Sequence, residues 1–124
     1  MKHIIEWNGQ SVEVDSEDRV AILLDHGREV GMLYMPGLPC PVMIAVSGAQ
    51  HPVWQWNGDR NKPTFSPSIL TRLPWGEEGR EVVNHVFVRE GKIHYLNDSS
   101  HEFAGKTIDL PRLQDWPEQF ILWE

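Results

Sequence analysis

The sequence predicts a mainly β protein, α+β at most: a single small antiparallel-sheet domain with one or two short helices. Three features carry this expectation. β-branched and aromatic residues come in short runs, apolar and polar side chains alternate within those runs, and turn dipeptides separate them at Asn8-Gly9, Asn57-Gly58 and Glu90-Gly91. A chain of 124 residues suits one domain, 1–124, and such a chain buries roughly two-thirds of the surface exposed when unfolded. Cys40 is the single cysteine, so neither an internal disulfide nor a four-cysteine metal site can form within the chain, and apolar packing must supply the stability. The opening residues lack a leader-like apolar core, and no apolar run approaches the roughly 20 residues a bilayer requires. A cytoplasmic protein is expected, with no membrane association.

Taken in order, HIIEWNGQSVEV gives strands at about 3–7 and 11–14. DSEDRVAILLDHG offers Asp15 or Ser16 as an N-cap, acids in the first turn and Gly27 as a stop, which predicts a short helix. The competing reading is a strand over residues 20–24, where Val20, Ile22 and Leu24 alternate. GMLYM at 31–35, PVMIAV at 41–46 and VWQW at 53–56 read as strands, followed by strands at about 68–72, 82–89, 92–96 and 107–109. The apolar FILW near the C-terminus reads as a last edge strand.

The hairpin VVNHVFVREGKIHYLND places chemistry-bearing residues together. A two-residue loop at Glu90-Gly91 pairs Val88 with Ile93, Val86 with Tyr95, His85 with Leu96 and Val83 with Asp98. His85 and Asp98 are then diagonal neighbours on one face, about 7–8 Å apart at the backbone, so Asp98 can orient the imidazole. Ser68 or Ser66, from the preceding NKPTFSPSIL, would complete a nucleophile, base and orienter set on the other ring nitrogen. The plainer expectation, and the one the residues alone favour, is that these serines bond nearby backbone and that Pro63 and Pro67 make the stretch a stiff connector with Ser68 away from His85.

Other chemistries are poorly supported. His85, His94, Asp98 and His101 crowd one region, but spacings such as HExxH or CxxC are missing, and no metal or cofactor is expected. GREVG and GEEGRE lack the pattern of a phosphate-binding loop. The formal charge of −7, from 18 acidic and 11 scattered basic residues, argues against a nucleic-acid partner. Six tryptophans are many for this length, and Trp54, Trp56 and Trp75, which flank NGDRNKPTFSP, are candidates for binding a protein partner.

The runs WNGDRNKPTFSPSIL and VNHVFVREGKIHYLNDSSHEFAGKTIDLP give this region a family likeness. Over roughly residues 35–110 the chain resembles a family of small tailed-phage and prophage proteins of unknown function, many carrying the label ammonia monooxygenase. The same broad family includes peptidases of bacterial ubiquitin-like operons, in which a PSI-type serine and a following histidine are the expected catalytic pair; by position these are Ser68 and His85. The resemblance also implies a four-cysteine zinc site, but Met35, Leu38, Asn84 and Ser99 stand where its thiolates would be. The leading expectation from the resemblance is a phage accessory protein acting in the bacterial host as a non-enzymatic binding module for a host or phage protein, such as an inhibitor of a defence system. A Ser–His peptidase and a virion or assembly component are the alternatives.

Overall fold

The computed structural model describes residues 2–7, 9–48, 52–74 and 76–117. They form three antiparallel sheets. The first is the hairpin of β1 (Lys2–Trp7) and β2 (Gln10–Asp15), in register Trp7 to Gln10. The second has order β3-β4-β5, from β3 (Ala21–Asp25), β4 (Arg28–Leu33) and β5 (Val42–Ala45). The third has order β10-β9-β8-β7-β6, from β6 (Gln55–Trp56), β7 (Phe65–Leu73), β8 (Val82–Arg89), β9 (Lys92–Tyr95) and β10 (Thr107–Asp109). Two single-turn 3-10 helices, at Glu77–Gly79 and Leu113–Asp115, are the helical elements among the described residues. No helix is long and apolar enough to cross a membrane among them.

The three sheets are layered, and side-chain alternation in the middle one shows how. Leu33, Val42 and Ile44 point to one side, into a core shared with Phe65, Ile69, Val86, Val88, Ile93 and Tyr95 of the five-stranded sheet. Ala21, Leu23 and Met32 point to the other, into a second core with Ile5 and Val14 of the first hairpin and with Leu113 and Trp116. The middle sheet is thus covered on both faces, while among the described residues Leu70, Arg72 and Arg89, on the other face of the five-stranded sheet, are exposed.

The helix predicted after Asp15 does not form; residues 21–25 are strand β3 instead. Its apparent cap and stop residues serve turns. Asp15 Oδ1 accepts the Glu17 N–H at 3.0 Å, and His26 and Gly27, with φ of 50° and 80°, make the two-residue turn between Asp25 and Arg28. Strand extents also differ from expectation: β4 starts at Arg28 because the turn pairs it at once with Asp25, and β7 runs the full Phe65–Leu73. The predicted FILW strand lies outside the described residues, as does Trp75.

The turn at Glu90 and Gly91 is anchored from two sides. The Gly91 N–H donates to the Pro63 carbonyl at 2.9 Å, the Glu90 N–H to Thr64 Oγ1 at 2.8 Å, and the Leu110 N–H to the Gly91 carbonyl at 2.8 Å. Gly91 has φ +77°, and a Cβ there would sit 3.3 Å from Arg19 Cδ, the Asn61 carbonyl oxygen and Lys62 Cα. An L side chain in this left-handed conformation costs about 1–2 kcal/mol before any crowding. Gly91→Ala is therefore expected to lower the unfolding free energy in urea by about 1–3 kcal/mol; an unchanged transition midpoint would contradict this account of the turn.

Candidate active site

The open face of the five-stranded sheet carries the site, and an irregularity in β7 creates it. Phe65 pairs with Val88 and Ile69 pairs with Val86, so three residues of β7 lie opposite Phe87 alone. The peptide bond between Ser66 and Pro67 within this bulge is cis. Phe65 and Ile69 are both buried, which holds the two ends of the bulge against the core and displaces Ser66, Pro67 and Ser68 outward. Ser68 Oγ lies 3.0 Å from His85 Nε2.

His85 is held by the chain that follows β9. The Leu96 N–H donates to the His85 carbonyl at 2.8 Å, after which the chain turns at Asn97 and Asp98. Side-chain oxygens then complete the pairing. The His85 N–H donates to Ser99 Oγ at 3.0 Å, Ser99 Oγ donates back to the His85 carbonyl at 3.1 Å, and the Val83 N–H donates to Ser100 Oγ at 2.8 Å. Asp98 therefore reaches His85 from a turn and not as a strand residue opposite Val83, since β9 ends at Tyr95. Its carboxylate lies 2.9 Å from His85 Nδ1.

These contacts set the hydrogen positions. A carboxylate only accepts, so His85 Nδ1–H donates to Asp98 and Nε2 is left as the acceptor of the Ser68 hydroxyl proton. The imidazole side chain is 24% exposed and the Asp98 side chain 61%, so the ring is partly sheltered while the carboxylate meets water. The expectation that Ser68 stands away from His85 is overturned: the Pro-flanked stretch is not merely a connector, because the bulge aims Ser68 at the imidazole. Ser66 is exposed and takes no part in this chain of contacts.

Trp54 and Trp56 are both partly buried against the main core. The Trp54 indole N–H donates to the Ser68 carbonyl at 3.2 Å, and its backbone N–H donates to the Ala45 carbonyl at 2.8 Å, linking the end of β5 to the serine. Trp56 stacks on Phe65, with ring centroids 6.2 Å apart. The indole contact to Ser68 spans 14 residues and leaves no mark in local sequence pattern.

The four residues considered as metal ligands separate into distinct contacts. His85 pairs with Asp98, His94 Nδ1 lies 3.2 Å from Thr107 Oγ1, and His101 Nε2 lies 2.7 Å from Asn84 Oδ1. Among the described residues no group of three or more His, Cys, Asp or Glu side chains converges as a metal site would require. The residues at the thiolate positions of the resembled family, Met35, Leu38, Asn84 and Ser99, are all buried, and the Asn84 side-chain amide donates to Met35 Sδ at 3.3 Å.

A small β protein that sets a serine, a histidine and a carboxylate in hydrogen-bonded sequence on an open sheet face has the arrangement of a serine hydrolase. Residues 8–96, well over half of the chain, match the family model of the bacterial ubiquitination-like system serine protease (BubE), and the chain belongs to that family. The match includes both Ser68 and His85. No curated protein and no solved structure matches the chain.

His101 provides a pH test of the scaffold under the site. The Phe103 N–H donates to His101 Nδ1 at 3.2 Å, so Nε2 carries the proton given to Asn84 Oδ1 and the ring is neutral. Burial lowers the imidazole below its ordinary 6.5, opposed by the nearby Glu102 carboxylate. The folded state therefore binds this proton less readily than the unfolded state. The contribution of His101 to stability is complete above about 6.5 and is lost as pH falls from there through the lower folded value. Unfolding free energy is expected to decline below pH 6.5 more steeply in the wild type than in His101→Gln; equal slopes would exclude His101 as the source.

Proposed function

We propose that the protein is a serine peptidase of a bacterial ubiquitination-like system, with Ser68 as nucleophile, His85 as general base and acid, and Asp98 as the residue that orients His85. The observation that carries this reading is the 3.0 Å contact from Ser68 Oγ to His85 Nε2 with Asp98 on the opposite ring nitrogen. Family membership favours it over the non-enzymatic binding module expected from the sequence.

In this mechanism Ser68 Oγ attacks the scissile carbonyl as its proton passes to His85 Nε2. The imidazolium is stabilised by Asp98 and returns the proton to the departing amine, leaving an ester on Ser68. Water then enters, gives its proton to His85, and attacks the ester; collapse of that adduct returns the proton to Ser68 and releases the acid product. Trp54 and Ser99 hold the backbone of the serine and the histidine while the proton moves between them.

The test is labelling by a fluorophosphonate followed by intact-mass and peptide mapping. One adduct on Ser68 is expected, with none in Ser68→Ala. His85→Ala should slow labelling by about 10²- to 10⁴-fold, the usual contribution of a general base. Asp98→Asn should slow it less, because Asp98 is exposed to competing water. Absence of an adduct on folded wild-type protein would overturn the peptidase reading.

A further inference from the structure

Beside the serine, along β7 and β8 toward the Glu90–Gly91 turn, lies a groove of about 830 Å³ whose lining includes Ser66, Phe87 and Arg89. It continues the same sheet face as the site: His85, Phe87 and Arg89 alternate along one regular strand, and the Arg89 guanidinium lies 4.2 Å from the centre of the Phe87 ring. Leu70, paired directly with His85 and 46% exposed, adds an apolar surface at the serine end.

The charge of the groove is opposite to that of the protein. Four cations line it, Arg19, Lys62, Arg89 and Lys92, against the carboxylates of Glu90 and Asp109, while the whole chain carries −7. Lys92 is paired with Asp109 at 2.9 Å, and Arg19 donates to the Leu110 carbonyl. Neither Lys62 nor Arg89 forms a direct salt bridge among the described residues, although the Lys62 charge, after the backbone N–H groups of Lys62 and Asn61, helps hold the Asp59 carboxyl below its usual range. The backbone of Lys62 is fixed in place: Asp59 Oδ1 accepts the N–H groups of Asn61 and Lys62 at 2.8 and 3.0 Å, and Asn57 Nδ2 donates to the Lys62 carbonyl at 3.0 Å. Charges beyond a Debye length of about 8 Å are screened, so a bound segment responds to these local cations more than to the net charge of the chain.

We infer that this groove binds an acidic stretch of the polypeptide substrate, with a carboxylate about four residues from the bond that is cut. The spacing follows from the strand: four residues from His85 to Arg89 at about 3.3 Å each give about 13 Å, which an extended peptide also covers in about four residues. The inference rests on the peptidase reading for the position of the cut. It names a specificity that neither the serine nor the histidine supplies. A nucleic acid is disfavoured by the two carboxylates interspersed among the cations and by the negative charge of the remaining surface.

The test uses the full chain as Ser68→Ala, so that binding is read without hydrolysis, and measures fluorescence anisotropy with a labelled octapeptide carrying four glutamates and with its glutamine counterpart. The glutamate peptide is expected to bind about ten-fold tighter at low salt, with the difference collapsing at high salt. Lys62→Gln with Arg89→Gln should remove most of that preference while leaving the thermal midpoint unchanged. In the wild type the glutamate peptide, and not the glutamine one, should slow fluorophosphonate labelling of Ser68. Equal binding of the two peptides, a preference that survives in the double variant, or tighter binding of a single-stranded oligonucleotide of equal charge would overturn the inference. Because the anisotropy measurement needs no nucleophile, these outcomes are distinct from a failure of Ser68 to label.

Discussion

Two residues of extra chain in β7 govern the arrangement of the site. Side chains on a strand alternate with a period of two, so an insertion of one residue would turn everything beyond it to the other face. Two extra residues leave the faces unchanged on both sides, and Phe65 and Ile69 both reach the core although the bulge separates them. The surplus chain has nowhere to go but outward. Burial on either side thus converts an irregularity in pairing into a fixed projection, and Ser68 is carried on it toward the neighbouring strand.

The projection is braced from a layer outside the Ser68–His85–Asp98 contacts. Trp54 leaves the end of the middle sheet, where its N–H meets Ala45, and its indole closes on the Ser68 carbonyl. On the histidine side, Ser99 and Ser100 act as substitutes for a further strand, because β8 would otherwise have unpaired backbone groups once the chain turns at Asn97. Ser68 and His85 are therefore held by contacts to their backbone, which fix position without consuming the side-chain atoms that the proposed chemistry needs.

What could be read from the residues, and what could not, follows from this construction. Alternation and the Glu90-Gly91 turn are local, and the observed register of Val86 with Tyr95 and Val88 with Ile93 agrees with the pairing they predict, whereas Asp98 meets His85 from the turn after β9 and not by continued strand pairing. The bulge depends on where Phe65 and Ile69 find the core, and the Trp54 contact on how two sheets meet, so neither has a local signature. For that reason the Pro-flanked serines read, from the sequence, as turn residues. The segment after Asp15 failed differently: Asp15 and Gly27 are as suited to turns as to helix ends, and the alternation of Ala21, Ile22 and Leu23 across two cores decided for a strand.

Ser68, His85 and Asp98 all belong to one continuous stretch, carried by β7, β8 and the turn after β9. Ile5 and Val14 of the first hairpin face the second core, on the far side of the middle sheet from the core under the site. A fold divided this way separates the burdens of inheritance. Under the proposed mechanism the N-terminal layer need only keep covering its sheet, whereas changes between β7 and the turn after β9 would be felt by the chemistry directly, and divergence among relatives should be distributed accordingly.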